Sequence, residues 1–263
     1  MNPAAEGTLV ANGDDEGTYS LITGKGYAYE SPDDDHSPPL RHIRQIYDSV
    51  LDKYVFAFDL HINIDTDKGV DSDRQRNEIK TYSGSPASMV ATEGETLKMQ
   101  WLFRLPEGML TTTSFSHVHQ LKGIDNISGD ADVLQPLITF TARSTSGGEQ
   151  KLQIQNVLPS SEGSTIVRLA EYDLSELLGE WLAVTEIATF SDNGSYSLEI
   201  RRLSDNSTII SLDSVPARLW RSKTPGIRPK WGLYRSFGPS GNRFTSGLRD
   251  ETLLFADFSI TKL

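Results

Sequence analysis

The chain has no cysteine among its 263 residues. That excludes disulfides, thiolate metal sites and cysteine nucleophiles. Positive charge is scarce as well: 25 Lys and Arg against 36 Asp and Glu leave a formal charge of −11. A field of that sign repels nucleic acid and anionic membranes, so neither is expected as a partner. It also repels acidic glycans in bulk, so an acidic ligand would need a locally basic cleft. No apolar run approaches the roughly 20 residues of a membrane span. The opening MNPAAEGTL lacks the charged-then-apolar pattern of a secretory leader. A cytoplasmic chain and a secreted one whose leader was removed both fit that start. N-x-S/T sequons at Asn126, Asn193 and Asn206 add slightly to the secreted reading. There is no G-x-S-x-G elbow for a serine hydrolase and no H-E-x-x-H zinc helix.

Alternation with period two is what the chain does have. In YVFAFDLHINID (54–65), Phe56, Phe58, Leu60, Ile62 and Ile64 share one face, and polar residues take the other. That predicts a half-buried strand. The same alternation marks 97–105, 137–143, 151–157, 181–190, 195–203 and 253–263. Asn193-Gly194 predicts a tight hairpin between 181–190 and 195–203 through positive φ angles. The stretch 40–52 fits a helix or a strand turning at 48–53. No amphipathic helix recurs between strands, so an all-β antiparallel sandwich or jelly roll is expected. It would be one domain over 1–263, with 1–20 as a flexible leading segment. Surface loops are expected at 31–39, 84–94, 144–150, 158–164 and 236–248.

Three strand segments place polar groups two or four apart. RNEIK (76–80) puts Arg76, Glu78 and Lys80 on one face. In SHVHQLK (116–122), His117 and His119 are expected to share a face, with Val118 in the core. In KWGLY (230–234), Lys230, Gly232 and Tyr234 point one way. Each alone fits a solvated charge ladder. Together they supply a phenol, imidazoles and cations for one groove. That set suits removal of the C5 proton of a uronate. A cation stabilises the developing dianion, a phenol or imidazole takes the proton, and an acid protonates O4. In 4-linked glucuronate or mannuronate, H5 and O4 lie on the same side. One tyrosine could then act as base and acid if cations such as Lys230 lower its pKa.

Other readings compete. EYDLSE (171–176) matches the carboxylate pattern of a glycoside hydrolase. Its context instead predicts a helical turn, with Asp173 and Glu176 as a capping box. A metal on His117 and His119 lacks an evident third ligand. Asp33, Asp34 and Asp35 read as a solvated acidic loop. Asp257, on the last strand, is the candidate ligand for a structural calcium. A carbohydrate-binding module without chemistry would stack sugars on Trp101, Trp220 or Trp231.

Arg76-Asn77-Glu78-Ile79-Lys80, His117-Val118-His119 and Lys230-Trp231-Gly232-Leu233-Tyr234 resemble, in order, the three signature strands of jelly-roll polysaccharide lyases of the alginate lyase type. The wording HVHQLKG, RPKWGLYRS and LRDETLLFADFSITK is similar to the glucuronan-lyase-like branch. The resemblance implies a concanavalin-like jelly roll with a concave substrate-binding sheet. It implies Tyr234 as base and acid, His119 assisting at the C5 proton, and Arg76 neutralising the carboxylate. His117, Lys230, Glu78, Lys80, Gln120 and Arg143 would bind substrate. No cofactor is implied for catalysis, and a secreted monomer is expected. Lys80 and His117 stand where the family has arginine and an amide, which loosens the fit to alginate. Glucuronan is therefore the first choice of substrate and alginate the second.

Overall fold

The computed structural model describes residues 7–159 and 165–263, so part of the expected 158–164 loop lies outside the described residues. Two antiparallel sheets of seven strands each stack face to face. The first consists of β1 (Ala28–Glu30), β4 (Arg74–Lys80), β6 (Ser116–Gly123), β7 (Ile138–Ser144), β8 (Gln150–Val157), β9 (Ile166–Asp173) and β13 (Ile227–Ser236). Its spatial order is β1-β4-β13-β6-β7-β8-β9. The second consists of β2 (Ile43–Asp48), β3 (Lys53–Leu60), β5 (Thr96–Arg104), β10 (Trp181–Thr189), β11 (Gly194–Arg202), β12 (Thr208–Ala217) and β14 (Glu251–Lys262). Its order is β12-β11-β10-β5-β14-β3-β2. This is a β-sandwich of jelly-roll type, as the alternation predicts.

The core forms because alternate residues of both sheets point inward. Phe56, Phe58 and Leu60 of β3 meet Trp101 and Phe103 of β5, Phe140 of β7 and Trp231 of β13 in one apolar cluster. The 54–65 pattern is cut short: β3 ends at Leu60, and the chain then turns, leaving Ile64 exposed and Asp65 buried. Over 40–52 the strand reading holds, with β2 and β3 joined by a turn in which Asp52 takes a left-handed φ of 54°. Residues 7–9 are not a loose leader. Leu9 is buried, and its amide donates to the Phe258 carbonyl of β14. A short helix, α1 (Thr18–Gly24), packs Ile22 into the core.

Two glycines show why the strands can approach so closely. The β10–β11 hairpin forms, but neither Asn193 nor Gly194 has positive φ. Gly194 is required because a Cβ there would lie 2.2 Å from the Thr189 carbonyl oxygen. Gly232 of β13 has φ +140°, and a Cβ would lie 2.1 Å from the Asn77 carbonyl oxygen of β4. Neither conflict can be relieved by moving a side chain. Gly232→Ala is therefore expected to lower stability by about 3 kcal/mol or more. A urea denaturation midpoint unchanged from wild type would contradict this.

Candidate active site

The outer face of the first sheet is polar, yet much of it is closed off from solvent. Arg76, Glu78 and Lys80 project there from β4, as period two requires, beside Lys230 and Tyr234 of β13. Register fixes the neighbours: Tyr234 lies opposite Arg76 on one side and His117 on the other, and Lys230 opposite Lys80 and Gln120. Arg76, Glu78, Gln120, Thr139, Thr141 and Lys230 are all buried. A merely solvated ladder would leave such groups in water. Buried charges must be paired, and here they are.

Glu78 accepts from Arg76 at 2.9 Å and Gln120 at 2.5 Å and pairs with Lys230 at 2.6 Å. Glu30 of β1 binds Arg76 at 3.1 Å and Lys230 at 2.8 Å, and also holds Lys80 and Lys68. Burial works against the charge on Glu78, but Lys230 and then Arg76 hold its carboxyl below the usual range. Burial pushes Lys80 down to about 8 against the pull of Glu30. Lys122, on β6, is also pushed down to about 8 by burial, then by Lys230 and Arg76. This floor is locally basic within an acidic protein.

Arg76 differs from its expected role. Asp67 grips it at 2.8 Å, and Glu30 and Glu78 take its other edge. Its guanidinium lies 3.8 Å from the centroid of the Tyr234 ring. It is a support under the phenol, with no free edge for a carboxylate. Lys230, 1% exposed between two carboxylates, is likewise part of the foundation. Arg74 is more exposed than Arg76: its Nη1 donates to the Tyr234 hydroxyl at 2.9 Å, while its Nε and Nη2 are held by Asp73 at 2.6 and 3.0 Å. Sequence reasoning passed over Arg74, although it stands two residues before Arg76 and so shares its face.

The Tyr234 pKa is raised, not lowered. Burial dominates, and the Arg74 hydrogen bond and the charge of Arg76 only partly oppose it. Lys230 is spent on carboxylates and does not tune it. The resting group is a neutral phenol.

The two histidines do not share a face. Against β7, His117 pairs with Thr141 and His119 with the adjacent Phe140, so Val118 is an extra residue and β6 bulges. Val118 and His119 both turn inward. His119 is sealed in the core, with its ring 4.6 Å from Trp101, 5.0 Å from Phe140 and 5.3 Å from Trp231. Its Nε2 lies 3.0 Å from Glu186 of the opposite sheet, at an angle that makes no good hydrogen bond. It cannot reach a ligand on the outer face. His117 is the histidine of the site. Its ring stacks on Phe115 at 4.6 Å and lies 6.1 Å from that of Tyr234.

A hydrogen-bonded chain runs from His117: its Nδ1 lies 2.9 Å from the Thr141 hydroxyl, which lies 2.7 Å from that of Thr139, which reaches Gln155 Oε1 at 3.4 Å. This chain is consistent with Nδ1–H as the donor at its start. The chain runs on from Gln155 to Gln153 and ends at the Glu171 carboxylate, each step 2.7 Å. Nε2 is left with its lone pair free. Burial, with help from Lys122, Arg76 and Lys230 and against Glu78, pulls the His117 pKa down to about 3. The ring is thus neutral near pH 7, which a base requires.

A hollow of about 270 Å³ opens beside His117, lined by Phe115, Thr139, Thr141, Arg143 and Gln155 among others. A wider one of about 1080 Å³ continues past Arg143, Lys151, Gln153 and Arg168. The larger volume marks the open β8–β9 end of the groove; His117 lines the smaller hollow, and Tyr234 stands beside His117 on the next strand, its ring 6.1 Å away. Arg143 lines both, with its guanidinium on the Thr113 carbonyl.

Several expectations outside the groove are corrected. Asp257 is paired with Lys53, so a cation side chain already occupies the place expected for calcium. Asp33 is not merely solvated: Tyr19, Ser31 and His42 hold it. The turn after β9 exists as a 3₁₀ segment, Leu174–Glu176, but Asp173 makes no cap; it binds Lys151, and Glu176 accepts from Tyr172. Trp101 and Trp231 are core residues, and Trp220 packs against the same cluster. None of the three offers a sugar platform in this groove.

No protein-family model and no curated protein matches this sequence. Solved structures do match it. Endo-β-1,4-glucuronan lyase from the fungus Trichoderma reesei aligns with a TM-score of 0.58 at 12% identity, over 89% of this chain and 94% of that one. Alginate lyase A1-II′, a member of polysaccharide lyase family 7, aligns with a TM-score of 0.59 at 14% identity, over 94% and 97%. The fold is the one these lyases share. Alginate lyase Aly36B matches over 99% of this chain and 98% of its own, at 11% identity and a TM-score of 0.58. The lyase-type jelly roll implied by the three sequence segments is therefore present. No helix among the described residues is long and apolar enough to cross a membrane.

Proposed function

We propose that this chain is a polysaccharide lyase that cleaves 4-linked uronate polymers by β-elimination. The observation that carries the proposal is the pairing of His117, which lines the smaller hollow, with Tyr234 beside it on the same buried, cationic sheet face. The names of the structural neighbours point the same way. One structure of A1-II′ holds substrate in a variant with one histidine and one tyrosine replaced.

In this reading the N–H groups of Arg74 that neither Asp73 nor Tyr234 holds meet the uronate carboxylate and stabilise the negative charge that develops there. His117 Nε2 takes the C5 proton. The C–H electron pair becomes the C4–C5 double bond as the C4–O4 bond breaks. Tyr234 gives its hydroxyl proton to the departing O4. Arg76 supports the phenol, and the Glu30–Glu78–Lys230 network holds Arg76. The scheme draws on no cofactor. Base and acid rise from the same floor, so they meet the same face of the sugar. That favours glucuronate and mannuronate, whose H5 and O4 lie on one side, over guluronate. Glucuronan stays the first choice and the mannuronate blocks of alginate the second. A polymeric substrate does not cross a membrane, so this reading puts the enzyme outside the cell. The test is incubation with glucuronan, polymannuronate and polyguluronate while following ultraviolet absorbance of the unsaturated uronate. A rise with polyguluronate alone would overturn the same-face scheme.

The pH profile separates this scheme from one in which Tyr234 is both base and acid. A phenolate base would make kcat/KM climb as pH approaches the raised tyrosine pKa. With His117 already neutral far below its ordinary value of about 6.5, kcat/KM should stay flat from about pH 5 to pH 7. It should decline as pH rises through about 8, where Lys80 and Lys122 lose the charge that attracts the uronate, and fall further as Tyr234 loses the proton it must donate. A profile still climbing at pH 9 would return the base role to Tyr234.

A further inference from the structure

Away from the groove, three histidines converge on one buried carboxylate. His36 follows the 3₁₀ turn Asp33–Asp35, His42 precedes β2, and His61 and Asp65 belong to the turn after β3. One nitrogen from each histidine and one oxygen of Asp65 all lie within 4.8 Å of one another. His36 Nε2 is 2.7 Å from Asp65 Oδ1, and His42 Nε2 is 3.1 Å from the same atom. His61 Nδ1 is 3.1 Å from His42 Nε2 and 3.4 Å from Asp65 Oδ2. Ligands at zinc–nitrogen and zinc–oxygen distances of about 2.0–2.1 Å in a tetrahedron sit about 3.3 Å apart. The contacts around Asp65 bracket that edge.

The surroundings are those of a ligand set. His42 Nδ1 faces two acceptors, the Leu40 carbonyl at 2.7 Å and Asp33 Oδ1 at 3.0 Å, so it carries a hydrogen. That directs Nε2 into the cluster. Outer hydrogen bonds of this kind orient metal-bound imidazoles. Asp33 is itself fixed by the Tyr19 hydroxyl at 2.5 Å. Asp65 Oδ2 accepts from the His61 amide at 2.6 Å, which orients its carboxylate. The side chains of His42 and Asp65 are 0% exposed. Three imidazoles packed at steep interplanar angles, with centroid separations of 4.8–5.2 Å, share a single carboxylate. Neutral imidazoles around a divalent cation relieve that crowding of like groups. Four side-chain ligands, two of them fully buried and His61 at the half-exposed edge, describe a structural site.

We propose that His36, His42, His61 and Asp65 bind one zinc ion, which fastens the 61–67 turn against the segment leading into β2. The turn matters to the groove: Gln75 donates to the His61 and Asp65 carbonyls, the Arg76 amide donates to Thr66, and Asp67 grips the Arg76 side chain. In a chain without cysteine, the ion serves as the cross-link between these loops. The site stands independently of the lyase reading and survives its failure.

The test uses full-length protein stripped with a chelator and titrated with zinc chloride by calorimetry, with a thermal melt at each end. One equivalent should bind, and zinc at about 100 times its Kd should raise Tm by about 5–10 °C. Cobalt(II) in place of zinc should give the intense visible bands of a four-coordinate ion. His61→Ala, at the half-exposed edge where folding is least at risk, should weaken zinc binding at least about 100-fold. Asp257→Ala should leave it unchanged. Wild type that takes up no stoichiometric zinc and melts at the same temperature with and without it would overturn the proposal. So would His61→Ala and Asp65→Asn variants that bind zinc as tightly as wild type, or a stabilising response to calcium but not to zinc.

Discussion

Tyr234→Phe is expected to lower kcat on a uronate polymer by about 10³-fold or more while leaving the fold intact. The change removes one oxygen. That oxygen accepts a single hydrogen bond, from the half-exposed Arg74. The ring would keep its stack with Arg76 at 3.8 Å and its contact with Phe115 at 5.0 Å. Stability should therefore move by no more than about 1 kcal/mol. Steady-state kinetics beside a denaturation curve checks both halves. Loss of activity with a collapsed melt would mean that the hydroxyl holds the structure. Unchanged activity would remove Tyr234 from the chemistry.

The second large effect is a crossed result from two histidines two residues apart. His117→Asn should cost about 10²–10⁴ in kcat, with little change in stability, because its ring serves the groove. His119→Asn should do the reverse. It replaces a ring packed on Trp101, Phe140 and Trp231 in the core with a smaller amide. Shrinking a buried ring in this way and leaving a polar amide among aromatic rings costs about 2–5 kcal/mol. Whatever protein still folds should turn over at close to the wild-type rate. If His119→Asn kills the folded enzyme and His117→Asn spares it, the assignment made from the β6 bulge is wrong.

That bulge also explains how far the sequence could be read. Period two placed Lys230, Gly232 and Tyr234 together on β13, and Arg76, Glu78 and Lys80 on β4, because both strands keep unbroken alternation between those residues. On β6 the same rule failed. The extra residue at Val118 returns His119 to the inside, and nothing in SHVHQLK distinguishes that from a regular strand. Arg74 is legible by the same alternation, since it stands two residues before Arg76 on the same strand. The occupied state of Arg76 was not legible. It depends on Glu30, Glu78 and Asp67, which β1, β4 itself and the 61–67 turn bring in from different parts of the chain. The cluster of His36, His42, His61 and Asp65 has no repeating interval at all, since two loops distant along the chain build it. Fold class, in contrast, is carried by seven alternating segments that all point to strands. A turn such as Leu174–Glu176 was predicted for a capping reason that its hydrogen bonds do not support.

Elimination and hydrolysis differ in what each cut leaves behind. Elimination makes one unsaturated uronate for every new reducing end, and hydrolysis makes reducing ends alone. Counting both products from glucuronan digested by the wild-type chain is the most direct measurement of what this groove does. The geometry of His117 and Tyr234 predicts a ratio of one to one, and neither product from the Tyr234→Phe variant. Reducing ends without unsaturation, or polymer bound and left uncut, would contradict it.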